Sequence, residues 1–407
     1  MILKFEDIKF AGNGGSVRGY FLRNFYFDIP KNEIEKRGKW KVIDGNLEIQ
    51  GSEVMRKRFD FILEQKLQQL KSLQGKPATY IYEGFLPLIG SLYFGLIDRD
   101  TNIIELRPIT GCNQKCVFCS VDLECRQRDF VVNADYLLKE FRKLAELKLK
   151  KVKAVEAHIN AQGEPLLYSK LAELIKGLSK VKGVETISMD TNAILLTKEK
   201  VNELVDAGLT RFNISIEALT EKRASAIAGI YYPLEHVKEI CRYIASKSQF
   251  LLAPVWLHGM NDDEIENIIK FALQLRKIQE KAGVMQEFPI LGIQNFLEYE
   301  RGRNPVKQQP WPVFYSFLER LEKKYGLKLK LSREDFGIVK CASEKPFRKD
   351  KIIDAKIVCG GMLPKEMLAV SDDRVIVLPN SKEKKIDKKA RVKITRDKYN
   401  VFYAKVV

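Results

Sequence analysis

No stretch of this 407-residue chain reaches the ~18 uninterrupted apolar residues that a membrane span needs, so no membrane partner is expected. Met1-Ile2-Leu3-Lys4-Phe5-Glu6-Asp7 carries acids where a signal peptide would be basic and then apolar, and the expected location is the cytoplasm. Cysteine is scarce and unevenly spread: seven in all, none in the first hundred residues, four between Cys112 and Cys125, then Cys241, Cys341 and Cys359 far apart. That excludes a disulfide scaffold, and in a reducing compartment the tight spacing points to a metal or redox site. Acidic residues are in deficit, 53 against 70 Lys and Arg, which leaves a net charge of +17. From Cys341 to Val407 there are 17 basic residues against 9 acidic. Such a tail suits a polyanion such as RNA, or else the lysine-rich solvated surface of a heat-adapted protein.

What is present is the composition of a globular protein, 45% hydrophobic and 30% charged. Residues 1–100 carry no catalytic motif. Asn13-Gly14-Gly15 reads as a turn, Phe21–Ile29 as a strand and Glu53–Leu73 as a helix, together an N-terminal accessory region. Over 101–340 strand-like and amphipathic helical runs alternate, the signature of βα units around a parallel sheet. The expected strands are Asn102–Arg107, Val152–Ile159, Val184–Met189, Arg211–Ile216, Phe250–Leu257 and Phe288–Ile293. Asn133 and Thr197 are placed to open helices, and Gly208 to end one. Six such units make an α/β, TIM-like partial (β/α)6 barrel. Its polar and glycine-bearing loops all fall after strands, on the rim where such barrels build active sites. Ser343–Lys349 reads as a linker, and 347–407 as a small all-β barrel of about five strands.

Cys112, Cys116 and Cys119 form a C-x3-C-x2-C loop directly after the first βα strand. Three thiolates can hold three irons of a cubane cluster and leave the fourth open, as catalytic metal sites do. Gly111 and Asn113 help the chain bend. A zinc site recruiting Cys125 or His158, or an electron-transfer cluster completed by Cys125, is the alternative that spacing leaves open.

From Arg107 to about Pro305 the chain resembles the radical S-adenosylmethionine (SAM) superfamily. The resemblance rests on the cysteine loop, Gly163-Glu164-Pro165 after the second strand, Asp190-Thr191-Asn192 after the third, Asn213, Ser215 and Glu217 on the fourth, and Gly292-Ile293-Gln294 near the sixth. It implies a 4Fe–4S cluster on Cys112, Cys116 and Cys119, and SAM bound by Phe118, Gly163, Glu164, Pro165, Asp190, Asn192, Asn213, Ser215, Glu217 and Ile293. The implied chemistry is reductive cleavage of SAM to a 5′-deoxyadenosyl radical, fed by a reductase or ferredoxin-type electron donor. Gln162 stands where the family more often has a second glycine.

The tail resembles a TRAM domain, an OB-like RNA-binding barrel, through Ile353-Asp354-Ala355-Lys356-Ile357, Gly360-Gly361 and Ala390–Thr395. Arg391, Lys393, Lys398 and Tyr399 combine charge with an aromatic ring, as contacts to single-stranded nucleic acid require. The expectation is a radical SAM transferase that modifies tRNA or rRNA by methylation or related C–H functionalisation. The cysteine-free N-terminal region argues against methylthiolation by the known route. A maturase acting on a protein or cofactor precursor, and a non-catalytic zinc and RNA-binding protein, are the competing classes.

Overall fold

The computed structural model describes residues 2–3, 5–36, 39–49, 53–122, 124–381 and 385–407. Its central sheet contains β1 (Gly95–Asp98), β2 (Ile103–Arg107), β3 (Val155–Ile159), β4 (Val184–Thr191), β5 (Arg211–Ile214) and β6 (Gln249–Leu252), in the order β6-β5-β4-β3-β2-β1. Strands β2 to β6 run parallel, and β1 is antiparallel to β2. Between them run α1 (Ala134–Leu149), α2 (Leu171–Leu178), α3 (Lys198–Asp206), α4 (Glu221–Ala228) and α5 (Leu234–Ala245), with α6 (Asp262–Lys281) after β6. The helices pack by apolar stripes at helical spacing: α1 buries Leu137, Phe141 and Leu144. Asn133 caps α1 by accepting from the Tyr136 N–H (2.8 Å), and Thr197 caps α3 through the Lys200 N–H (3.2 Å). Among the described residues no helix is long and apolar enough to cross a membrane.

Several expectations need correction. Phe288–Ile293 forms no strand. It touches the sheet through a single bridge, Leu252 to Leu291, and the chain pairs again only at Val255–Trp256 with Gln294–Asn295. Pro254 and Pro289 each withdraw an N–H from the ladder, which splits the expected fifth strand and dissolves the sixth. Phe21–Ile29 is two strands, because Leu22 and Arg23 turn the chain with φ of 48° and 65°. The helix expected over Glu53–Leu73 stops at Leu67, and Lys71–Ser72 instead pairs with Phe25 and Tyr26. Strand β1, inside the segment read as accessory, belongs to the central sheet.

The N-terminal region is an antiparallel meander, Ile8–Asn13, Ser16–Phe21, Phe25–Pro30 and Lys71–Ser72, whose buried face carries Val17, Phe27 and Ile29. It braces the rim that carries the cysteine loop. Ala78–Ile81 pairs in parallel with Asp129–Val132, just beyond the cysteine loop, and Asn24 donates to the Leu167 carbonyl.

The C-terminal strands β7 (Ile352–Gly360), β8 (Met367–Ser371), β9 (Arg374–Leu378), β10 (Lys389–Arg396) and β11 (Phe402–Val406) close a barrel in the order β7-β8-β9-β11-β10, with β9 and β11 parallel. Ile357, Ile376, Val392, Ile394 and Phe402 fill it. The barrel is sewn to the rest of the chain. Val375 donates its N–H to the Ile89 carbonyl (2.8 Å), Phe402 to Gly90 (2.9 Å) and Gln127 to Met362 (2.9 Å). Gly90 sits at φ +127°, and a Cβ there would lie 2.0 Å from the Val375 carbonyl oxygen, so only glycine permits the approach. On the same flank the buried Lys148 ammonium is fully used by Asp98 (2.6 Å) and the carbonyls of Thr101 (2.7 Å) and Cys341 (2.8 Å).

Candidate active site at the cysteine loop

The loop after β2 is held from every side. Thr110 donates its N–H to Phe130 (3.1 Å) and its hydroxyl to Asp129 (2.9 Å). The Glu164 N–H donates to the Gly111 carbonyl (2.7 Å), and a Cβ on Gly163 would lie 1.9 Å from that same oxygen. One glycine therefore suffices after β3; the neighbouring Gln162 does not meet this constraint. Lys115 and Val117 donate to the last carbonyls of α4, at Ala228 (3.0 Å) and Ile227 (2.9 Å). Arg303 closes the far side, its N–H on the Cys119 carbonyl (2.9 Å) and its guanidinium on Asp122 and the Lys115 carbonyl.

Around this loop lies a cavity of about 360 Å³. Its wall includes Cys112, Cys116, Phe118 and Cys119, together with Gly163, Glu164, Asp190, Asn192, Ser215 and Glu217. Pro165, Asn213 and Ile293 stand outside the wall. Pro165 opens a short 3-10 turn capped by Glu164; Asn213 donates to Asp190 (2.8 Å); Ile293 is buried beside the lining residues Gln294, Asn295 and Phe296. Cys125 is exposed, with its thiol on Asp122 (3.4 Å), and neither it nor His158 lines the cavity. Cys341 and Cys359 are buried elsewhere.

Glu164 ties two strand ends together. Its carboxylate accepts from the Thr191 hydroxyl (2.8 Å), the Asn192 N–H (2.9 Å) and the Leu166 N–H (3.1 Å). Burial pushes its pKa up to about 7 against these bonds. Asn192 in turn donates to Asn113 in the cysteine loop (2.8 Å). Glu217 is pushed up to about 8 by burial, and its Oε1 is buried without a partner among the described residues. Behind the wall the central sheet carries a polar cluster. His158 meets Asp190 (3.3 Å) and Ser188 (2.8 Å), Ser188 donates to Glu156 (2.5 Å), and Arg211 reaches Glu156 (2.6 Å). Burial disfavours charge on both His158 and Asp190, yet their pairing wins: the imidazole rises to about 9 and the carboxyl falls below its usual range.

The donor set is one that an iron–sulfur cluster uses: three thiols share one cavity wall, where burial keeps the Cys112 thiol high, at about 11, and lifts that of Cys116 as well. Glu217 lines the same cavity, with one carboxyl oxygen buried and without a partner among the described residues.

On the C-terminal barrel Arg391 and Lys398 are exposed and Lys393 pairs with Asp350 (2.8 Å). Lys398 lies over the Tyr399 ring (4.8 Å), which also faces Arg99 (5.5 Å) across the junction with the central sheet. Sequence reasoning missed Arg126, Asn295, Tyr299 and Arg303. Arg126 and Arg303 sit in basic runs with no diagnostic spacing, whereas Asn295 lies two residues from the expected Ile293 and was within reach of that motif.

The model of the "Radical SAM superfamily" matches residues 106–272. The uncharacterized protein MJ0103 of Methanocaldococcus jannaschii is 37% identical over 362 residues, 83% of each chain. A GTP 3′,8-cyclase of Thermodesulfovibrio yellowstonii is 26% identical over 56% of this chain, and the match spans 66% of that enzyme's length. Among solved structures, SuiB of Streptococcus suis bound to S-adenosylmethionine aligns with a TM-score of 0.41 at 15% identity, over 81% of this chain and 72% of that one. The family model falls on the cysteine loop and on β3 to β6, so residues 106–272 of this chain form a radical SAM superfamily domain, and the cofactors of that superfamily are a 4Fe–4S cluster and S-adenosylmethionine.

Proposed function

We propose that this protein is a radical SAM enzyme that modifies RNA, tRNA or rRNA, by methylation or a related C–H functionalisation. The observation that carries the enzymatic part is a single cavity wall shared by Cys112, Cys116, Cys119, Glu164 and Glu217. When bound, the cluster supplies the electron that cleaves SAM reductively and so generates a hydrogen-abstracting radical. Cys112, Cys116 and Cys119 would hold the cluster. Glu164 has three lone-pair positions filled by the chain and one left for an ammonium donor, while its hydrogen bonds fix the β3 and β4 loops relative to each other. Asp190, kept ionised and oriented by His158 and Asn213, presents an acceptor to ribose hydroxyls. Phe118 and Phe296 exclude water.

The RNA part rests on the tail. Its closed five-stranded barrel, with the third and fifth strands parallel, has the connectivity of OB-like nucleic-acid binders, and its sequence is strongly basic. A nucleotide substrate is the second reading, favoured by the match to GTP 3′,8-cyclases over half of the chain. Anaerobic reconstitution with dithionite is expected to yield 5′-deoxyadenosine from SAM; none formed would remove the enzymatic reading. Mass spectrometry of nucleosides from a deletion strain is expected to lose one modified nucleoside, and an unchanged profile would favour the nucleotide.

A further inference from the structure

Arg126 is a buried cation for which the binding roles above have no use. It is 6% exposed. Its Nη1 donates to the Thr110 carbonyl, two residues before Cys112, and to the Gln162 carbonyl (2.7 Å), one residue before Gly163. It thus clamps the cysteine loop to the Glu164 loop, beside the Gly111–Glu164 hydrogen bond. Its counter-charge is loose: Asp129 lies 3.7 Å away and is shared with the Thr110 hydroxyl. Its Nε–H is buried without a partner among the described residues. The electrostatic influence of Cys112 and Cys119 reaches the guanidinium. Burying an arginine with a spare N–H and a distant acid is unfavourable unless another negative group compensates.

We propose that Arg126 is a positioning residue with a redox role: it fixes the two cofactor loops together, and its buried charge stabilises the reduced, more negative form of the cluster held by Cys112, Cys116 and Cys119. Net charge and hydrogen bonds to sulfur are the levers by which proteins set such potentials. The inference rests on the cluster reading. Asp129 opposes it, so the pair sets the potential by difference.

The test is a potentiometric titration of the reconstituted protein, followed by electron paramagnetic resonance. R126Q is expected to shift the midpoint to more negative potential. R126K, which keeps the charge but cannot span both carbonyls, is expected to stay near the wild-type midpoint while lowering the melting temperature of the cluster-free chain. D129N keeps an acceptor for Thr110 and is expected to fold, with its midpoint shifted to more positive potential. Equal midpoints in wild type and D129N, or shifts of the same sign in R126Q and D129N, would overturn the redox role. A wild type that takes up no cluster would overturn the underlying assignment instead, and the two failures are distinguished by the iron content and absorption of the starting sample.

Discussion

The cysteine loop and the C-terminal barrel are both assembled from short, polar, sequence-local signals, but they are organised in opposite ways. Around the loop the contacts interlock: Gly163 against Gly111, Glu164 to Thr191 and Asn192, Asn192 to Asn113, Arg303 to Cys119. On the barrel the basic side chains are dispersed, with Lys393 on Asp350, Tyr399 turned to Arg99 and Arg391 exposed on the surface. A site that performs chemistry on a small cofactor needs fixed geometry, whereas affinity for a polyanion sums many weak and replaceable contacts. Substitutions in the two regions should therefore differ in size and in character.

The largest effect belongs to the thiols. Replacing Cys112, Cys116 or Cys119 by alanine is expected to abolish 5′-deoxyadenosine formation, and C125A to leave it intact; an inactive C125A with full iron content would place a fourth thiol in the site. G163A is next. The new methyl must displace the Gly111 carbonyl, so a destabilisation of about 1–3 kcal/mol by thermal or urea melting, with loss of SAM binding, is expected. A melt indistinguishable from wild type would show that the loop yields, contrary to its interlocked contacts.

A pH titration follows in size. Glu164 must be ionised to accept from an ammonium, and its carboxyl lies near 7, so SAM affinity should fall about tenfold from pH 8 to pH 6. The neighbouring Glu217, near 8, steepens the decline. E164Q should flatten the profile by calorimetry, and an unchanged slope would assign it to Glu217. The sign reverses for the cofactor-free fold: a carboxyl raised from its unfolded value near 4.5 binds an extra proton when folded. Its contribution therefore weakens stability as pH rises from about 4.5 to 7. The smallest effect is expected on the tail. R391A or K393A should each lower RNA affinity only a few-fold and flatten its salt dependence by about one unit of slope, without altering SAM cleavage. A loss of SAM cleavage in either variant would break the division between the regions.

Legibility in the sequence followed the same division. The C-terminal segment was legible as a small barrel of about five strands, because turn residues such as Gly360-Gly361 and Asp372-Asp373 punctuate it. The cysteines and the residues after β3, β4 and β5 were readable because each follows a strand. What pattern could not supply was three-dimensional compensation. Nothing local says that Arg126 clamps two distant carbonyls, or that Lys148 finds three acceptors from different elements. The polar cluster on the central sheet, Glu156, His158, Ser188 and Arg211, reads along each strand as simple alternation and becomes a network only when the strands are in register. The misplaced sixth strand shows the converse: apolar residues over Phe288–Ile293 suggest a ladder that Pro289 does not allow.

The attachment of the C-terminal barrel through Ile89, Gly90 and Met362 has one more meaning. A second link runs through the buried Glu366, which accepts from Tyr93 (3.0 Å) and from Arg301 (2.9 Å), next to the residues that close over Cys119. The tail is thus no tethered hook swinging on Ser343–Lys349 but a fixed arm of a gauge. An RNA gripped by that arm would meet the cavity at a constant distance along its strand, so the choice of nucleotide would be a measurement of length as much as a reading of bases.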